Sequence, residues 1–349
     1  MNTLKEAINE KNVEKVRYLL TRLSEGNNYD IKEAGFKYAL MRGYVEIIRL
    51  FLADPQIVLK DNDNAIKIAS RNGYTEVVRL LLADTRVDPS NSNNFAIKIA
   101  SKNGHAGVVR LLLDDPRVNP RSNNNEAIRM ASVAGHADVV RLLLDDPRVD
   151  PRSNNNQAIR MASIAGHAEV VRLLLADSQV DPRSNNNEAI RIASKNGHAG
   201  VVRFLLDDPR VNPGSNNNEA IRLASAYGHT EVVRLLLADL RVDPADDDNR
   251  AIKFASMNNK YEVVRLLLAD PRVDPRSEDD YAMEMSLINN CTEVVELLDI
   301  DAEKYPNYDI RFHNLTLELS IEKLEDKILE LQKQLEFYLE KSEEIYEMH

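Results

Sequence analysis

The chain has 349 residues and a formal net charge of −11, and 43% of its residues are hydrophobic while only 5% are aromatic. No stretch of 18 consecutive apolar residues exists, which excludes a membrane-spanning helix of ordinary length and predicts a soluble protein with an aliphatic core. The single cysteine, Cys291, allows no internal disulfide, so we expect a reducing, cytoplasmic location.

An internal repeat organises most of the chain. An alanine recurs at a constant step of 31 residues, at Ala65, Ala96, Ala127, Ala158, Ala189, Ala220, Ala251 and Ala282. Such a period is typical of stacked supersecondary units. The register predicts four parts: an N-terminal capping repeat at 1–33, a repeat array at 34–298, a linker at 299–312 and an acidic amphipathic helix at 313–349.

Each repeat predicts two short helices. In the repeat at 126–156, an apolar face at helical spacing follows Asn125, the expected N-cap, and Gly135 is expected to end the first helix in left-handed geometry. A second helix at 138–144 is followed by Pro147, which prevents its continuation. Helices this short are unstable alone in water, so neighbouring repeats must bury each other's faces. The predicted fold class is an all-α solenoid of stacked helix-turn-helix repeats with a long C-terminal helix.

The repeat resembles a known family. Residues 134–144, Ala-Gly-His-Ala-Asp-Val-Val-Arg-Leu-Leu-Leu, are similar to the ankyrin consensus Gly-His-x-Glu-Val-Val-x-Leu-Leu-Leu. The resemblance covers nearly all of residues 1–298 and implies a concave partner-binding face. Its loops are two residues shorter than in the usual ankyrin repeat, which predicts a reduced β-hairpin. The near-identical units also resemble ankyrin arrays of giant DNA viruses and amoebae, so a viral protein in the host cytoplasm is one expectation.

The C-terminal segment carries a second pattern. Residues 299–349 hold 14 acidic and 6 basic residues. Apolar residues fill heptad positions at Ile321, Leu324, Ile328, Leu331 and Leu335. Isoleucine at a with leucine at d favours a parallel two-stranded coil, which predicts a homodimer through residues 313–349. A helix that folds back to cover the last repeat is the alternative, and the pattern leaves both open.

No group of residues points to catalysis. Histidines recur once per repeat, at His105, His136, His167, His198 and His229. Stacked helices lie ~8–10 Å apart, so these side chains cannot share one metal ion, and we read them as structural. Cys291 occupies the same position and has no unique histidine or aspartate partner. We therefore predict a protein that is not an enzyme, with no metal and no cofactor.

Rows of basic residues also recur with the repeat. Acidic residues accompany them and no aromatic residues are interleaved, which argues against a nucleic-acid partner. Paired, solvated rows are the preferred interpretation. Nucleic-acid binding through the arginine rows stays a minor alternative.

Specificity in a repeat array is expected where repeats differ. The differing positions are the pair before each turn glycine and the residue that opens each repeat. The predicted partner-binding residues are Phe95, Lys102, Asn103, Val133, Ala134, Ile164, Ala165, Lys195, Asn196, Ala226, Tyr227, Arg250 and Met257. The predicted function is a non-catalytic scaffold that binds an unidentified protein on the concave face. A spacer that oligomerises through the C-terminal helix is the alternative, and neutral drift would also explain the variation.

Overall fold

The computed structural model describes residues 2–25, 28–55, 57, 62–302, 321 and 327–333. Regular structure in these residues is helical, and none of them lies in a β-strand. The chain divides into two compact units: unit 1 is Met1–Ala193 with Gly200–Asn212, and unit 2 is Ser194–Ala199 with Pro213–His349.

Helices follow each other in pairs. Unit 1 contains α1 (Asn2–Asn9), α2 (Val13–Leu23), α3 (Tyr29–Arg42), α4 (Val45–Ala53), α5 (Asn62–Asn72), α6 (Thr75–Ala83), α7 (Asn91–Lys102), α8 (Ala106–Asp114), α9 (Ser122–Ala134), α10 (Ala137–Leu144), α11 (Ser153–Ala165) and α12 (Ala168–Ala176). Two helices cross the unit boundary, α13 (Ser184–Lys195) and α14 (Ala199–Asp207). Unit 2 contains α15 (Ser215–Tyr227), α16 (Thr230–Leu237), α17 (Asp246–Met257), α18 (Tyr261–Leu268), α19 (Ser277–Ile288) and α20 (Thr292–Ala302). Residues 327–333 are also helical.

The helices stack by type within each unit. In unit 1 the first helices α7, α9 and α11 contact one another in order, as do the second helices α8, α10 and α12. Unit 2 repeats this order with α15, α17 and α19 and with α16, α18 and α20. The repeats between residues 64 and 280 bury equivalent aliphatic side chains. In the repeat at 126–156 they are Ala127, Ile128, Ala131, Val139, Val140 and Leu143. The predicted helical solenoid of 31-residue repeats is confirmed.

The turn between the two helices of a repeat has the predicted geometry. Seven glycines in this position adopt φ values between 67° and 82°. The two exceptions, Asn259 and Asn290, adopt φ values of 54° and 55°. Asparagine pays a smaller steric cost in this region than other side chains. The sequence prediction of a left-handed helix end is therefore confirmed at every one of these positions.

The loop before each first helix differs from the prediction. The right-handed part of α9 starts at Glu126 as expected, but the three residues Asn123–Asn125 all have φ values between 50° and 56°. Three consecutive left-handed residues are rare because each costs ~1–2 kcal/mol for most side chains, which explains the run of asparagines. The sequence predicted a reduced β-hairpin in this loop, and the structure has a left-handed turn there instead. The same turn recurs in other loops of the described array.

The third asparagine of each run joins two repeats. Asn125 is 4% exposed, and its Oδ1 accepts a hydrogen bond from the backbone N–H of Asp150 at 2.8 Å while its Nδ2 donates to Ser153 at 2.6 Å. The prediction that Asn125 caps its own helix is wrong, because its side chain is used by the loop of the next repeat. Asn156 makes the same pair of bonds, to Asp181 and Ser184.

The predicted C-terminal helix is described only in part. Ile321, Ile328 and Leu331 are 54%, 55% and 55% exposed, whereas Leu324 and Leu335 lie outside the described residues. The described apolar side chains are therefore not buried against the array. The linker at 299–312, the homodimer and the folded-back cap stay predictions.

Candidate partner-binding surface

The predicted contact residues of unit 1 lie where the first helices end. The two residues before each turn glycine form a row that we call the turn row, and in unit 1 it includes Lys102, Asn103, Val133, Ala134, Ile164 and Ala165. Val133 is 48% exposed, and only Ala134 and Ile164 are half-buried rather than exposed. The side chains that vary between repeats thus face solvent.

A pocket of about 360 Å³ opens within this row. Its lining consists of Lys102, Glu126, Arg129, Met130, Val133, Ala134, Gln157 and Met161. The pocket brings together three predicted residues, Lys102, Val133 and Ala134, whereas Ile164 and Ala165 lie outside its lining. Four of the lining residues are apolar and four are polar or charged. Sites that anchor an apolar side chain of a partner commonly combine these two kinds of residue.

Two walls of the pocket were not predicted from the sequence. Met130 and Met161 are half-buried side chains on α9 and α11. They occupy the helix position that holds Ile99 and Ile192 in other repeats, so methionine among isoleucines was the available signal. Methionine is unbranched and polarisable, and it adapts to irregular partners.

The charged residues that line the pocket differ in whether they already have a partner within the protein. Glu126 forms an ion pair with Lys98 at 3.0 Å, and Arg129 donates to Gln157 at 2.9 Å. Burial raises the pKa of Glu126, but hydrogen bonds from Asn123 and Lys98 outweigh it and lower the pKa, so Glu126 stays anionic. Lys102 is exposed and has no ion pair within the part of the chain that the structure describes. Lys102 is therefore the positive charge in the pocket lining that an acidic group of a partner can pair with.

Phe95, predicted as a contact residue, is already engaged inside unit 1. It is half-buried, and Lys67 Nζ and Arg71 Cζ each lie 5.9 Å from its ring centroid. Cations at this distance interact with the ring face. The Phe95 ring is therefore flanked by the side chains of Lys67 and Arg71.

Unit 2 carries a separate patch around Tyr227. This side chain is 53% exposed, its ring stacks on His229 at 6.2 Å between centroids, and Lys195 Nζ lies 5.6 Å from the ring centroid. Lys195 and Tyr227, both predicted, are thus brought together. Arg250 is instead held by Asp247 at 2.7 Å. The other predicted residues of unit 2, Asn196, Ala226 and Met257, are exposed, half-buried and half-buried respectively.

The recurring histidines connect neighbouring repeats. His136 Nε2 lies 3.0 Å from the carbonyl oxygen of Lys102, and His167 Nε2 lies 3.0 Å from that of Val133. Because a carbonyl only accepts, each imidazole donates from Nε2. Cys291 takes the same position, its thiol is 3% exposed, and burial raises its pKa. The structural interpretation of this position is confirmed by these contacts.

Arginines in the loops after the second helices also connect repeats. Arg148 forms two bonds to Asp146, Nε–Oδ1 at 3.0 Å and Nη2–Oδ2 at 2.6 Å, and it donates to the carbonyls of Leu113 and Val118 in the preceding repeat. The side-chain hydrogen bond from Arg148 lowers the pKa of Asp146 despite burial, which raises it. We call this arrangement the arginine clamp. The same contacts recur at Arg86, Arg117, Arg210 and Arg272.

Comparison with protein-family models gives a direct match to these repeats. A model described as ankyrin repeats in three copies matches seven overlapping stretches, 4–93, 36–124, 84–155, 127–217, 159–248, 190–279 and 221–308. The chain belongs to the ankyrin-repeat family. No curated protein matches the chain, so the expected viral or amoebal source stays a prediction.

The remaining basic rows of this ankyrin array carry counter-charges. At the openings of first helices, Arg222 pairs with Asp247 at 3.0 Å, and Lys253 pairs with Glu278 at 2.7 Å. On the exposed face of several second helices, an arginine pairs with an acid three residues earlier, as Arg172 does with Glu169. The predicted pairing of the rows is confirmed at these positions.

The described residues contain neither a metal-binding group nor a membrane-spanning helix. Among the described residues, no group of three or more histidine, cysteine, aspartate or glutamate side chains is arranged to hold a metal ion. No helix within the same residues is long and apolar enough to cross a lipid bilayer.

Proposed function

We propose that this ankyrin array is a non-catalytic scaffold that binds another protein through its turn row. Ankyrin repeats generally mediate protein–protein interaction. The observation that carries the assignment to the turn row is the pocket lined by Met130, Val133, Ala134 and Met161. Its lining also includes Lys102, which has no ion pair among the described residues. An apolar centre with a polar border is the composition of a protein interface.

The recurring contacts between repeats support binding without large rearrangement. Asparagine, histidine and arginine side chains connect neighbouring repeats of unit 1, as Asn125, His136 and Arg148 do. A surface held in place in this way loses little conformational entropy when a partner docks. The proposal includes a cytoplasmic location and no cofactor, membrane or nucleic-acid partner.

The test is quantitative affinity capture from the native cell with substituted baits. Val133→Asp and Tyr227→Asp are expected to lower the amount of captured partner at least about tenfold. Because both side chains are exposed, the free energy of unfolding should change by less than about 0.5 kcal/mol. These sites are better probes than the half-buried Ile164, where a carboxylate also perturbs packing.

Leu240 supplies the matched control. It is 94% exposed in the loop after α16, so Leu240→Asp introduces the same chemical change away from the turn row. Capture should be unchanged in this variant. Equal capture by wild type, Val133→Asp and Tyr227→Asp would remove the turn row from the proposal.

Self-association through the C-terminal helix is the second candidate. It is favoured by the exposure of Ile321, Ile328 and Leu331, since heptad side chains left in solvent require a partner to bury them. Light scattering of the full-length protein beside a 1–302 truncation distinguishes a dimer formed by this helix from a monomer.

A further inference from the structure

The arginine clamp has a constant geometry wherever the arginine is present. In the loop after α8, Arg117 Nε lies 2.9 Å from Asp115 Oδ1, and its Nη atoms lie 3.0 and 2.9 Å from the carbonyl oxygens of Val87 and Leu82. Arg148 binds the three equivalent residues one repeat later, Asp146, Val118 and Leu113. One carboxylate and two carbonyls therefore form a repeated binding site for a guanidinium group.

Two loops have glutamine in place of the clamp arginine, Gln56 and Gln179. Asp54, the carboxylate two residues before Gln56, is already paired with Lys32 at 2.6 Å. The loop at 177–180, Asp-Ser-Gln-Val, keeps its carboxylate, Asp177, without an ion pair among the described residues. The backbone is unchanged, because the N–H of Gln179 donates to Asp177 Oδ1 at 2.8 Å, as the N–H of Arg148 does to Asp146 Oδ1 at 2.9 Å. The Gln179 side chain is exposed and makes no hydrogen bond within the described residues.

The acceptors of this loop follow from the register of the neighbouring clamps. The clamp arginines Arg117, Arg148, Arg210 and Arg272 reach carbonyls 30 and 35 residues earlier in the chain, as Arg148 reaches Val118 and Leu113. For position 179 these are the carbonyls of Val149 and Leu144. Leu144 ends α10, and carbonyls at a helix C-terminus attract cations through their unsatisfied dipoles.

We propose that Asp177, with the carbonyls of Leu144 and Val149, binds the guanidinium of an arginine side chain supplied by another protein. A guanidinium is favoured over an ammonium, because its planar fork meets a carboxylate in two parallel bonds and still has donors for two carbonyls. Arg152 is an internal competitor, since its charge interacts with Asp177, but its Nε is held by Asp150 at 2.9 Å.

The site is accessible from solvent yet partly shielded. Clamp arginine side chains are 34–38% exposed, so the approach to the guanidinium position is open. The paired carboxylates are only 10–15% exposed, which weakens the screening of the interaction by water. This site lies in the loop after a second helix, and it is an addition to the proposed turn-row function.

The test uses the full-length protein and a blocked tripeptide, acetyl-Gly-Arg-Gly-amide, with binding followed by amide chemical shifts in NMR spectra. We expect saturable shifts centred on residues 177–181 at low salt. The lysine tripeptide should bind about tenfold more weakly, because it lacks the bidentate fork. The citrulline tripeptide, which keeps the shape without the charge, should cause no saturable shift.

Two variants give opposite expected results. Gln179→Arg supplies the guanidinium from within and should abolish peptide binding at 177–181. Arg148→Gln removes an internal guanidinium and should create a second, equivalent site, with shifts at residues 146–150 and a stoichiometry of two. Asp177→Asn should lose binding as Gln179→Arg does.

The proposal is overturned if wild type shows no saturable shift at 177–181, or if Gln179→Arg binds the arginine peptide as tightly as wild type. Val133→Asp should bind the tripeptide with unchanged affinity. Failure of the turn-row proposal and failure of this site are therefore distinguishable in the same set of proteins.

Discussion

Polar side chains that recur in most repeats and side chains that vary between repeats occupy different regions of the molecule. Asn125, His136 and Arg148 each contact backbone groups of an adjacent repeat, and Asn125 is almost fully buried. Val133 and Tyr227 are about half exposed at helix ends. In this array, a polar residue that recurs at the same repeat position contacts the adjacent repeat. The variable side chains Val133 and Tyr227 instead lie on exposed helix ends.

The largest effect is expected at the buried asparagine between repeats. Asn156→Ala removes the acceptor for the N–H of Asp181 and the donor to Ser184, and both bonds lie in a shielded loop. We expect the free energy of unfolding to fall by about 2–3 kcal/mol, measured by urea denaturation.

Asn155→Ala is the matched control for that substitution. The two asparagines have nearly equal φ values, 55° and 54°, but the Asn155 side chain is exposed. Its replacement should cost only the left-handed penalty of about 1 kcal/mol. Equal losses in both variants would break the comparison, because the buried side chain would then add nothing beyond backbone conformation.

A smaller effect is expected at the turn glycines. Gly135 has a φ of 80°, and a Cβ there would lie 2.6 Å from the imidazole of His167. Gly135→Ala should destabilise the protein by about 1–2 kcal/mol from its left-handed backbone, with a further loss as His167 is displaced. In a His167→Ala background the further loss should vanish, and chemical denaturation of the four proteins in this cycle measures it.

The smallest effect is expected at the arginine clamp. Arg148→Gln should lower the free energy of unfolding by about 1 kcal/mol, and Gln179→Arg should raise it by a similar amount, since these ion pairs are partly exposed. Thermal unfolding of both variants measures the change. No difference in either direction would indicate that the clamp directs the loop without stabilising it.

The pH dependence sharpens this last prediction. Arg148 lowers the pKa of Asp146 from its usual value of 3.8, so the clamp stabilises the fold above that pH. The contribution is lost as the pH falls through the lowered pKa and Asp146 becomes protonated. The difference between wild type and Arg148→Gln should therefore close in acid below about pH 3.8.

Much of the array was predictable from the repeat itself. The step between alanines indicated which helices stack, and the glycines indicated where first helices end, because few other residues adopt a positive φ at low cost. The sequence indicated which helix ends form the candidate surface. It did not indicate which other side chains line its pocket. Met130 and Met161 lie on the first helices, and only the placement of adjacent helices decides that they share a pocket with Val133.

The sequence alone determined the period, the helix pairs and the positions at which repeats differ, since these depend on local periodicity and backbone preference. The hydrogen-bond partners of the polar side chains that recur at equivalent repeat positions follow only from the tertiary structure. Asn125 suits a helix cap and an inter-repeat bond equally well by residue type, and Arg148 finds its carbonyls 30 and 35 residues earlier in the chain. Hydrogen-bond partners depend on distance in space, which neighbouring repeats set when they stack.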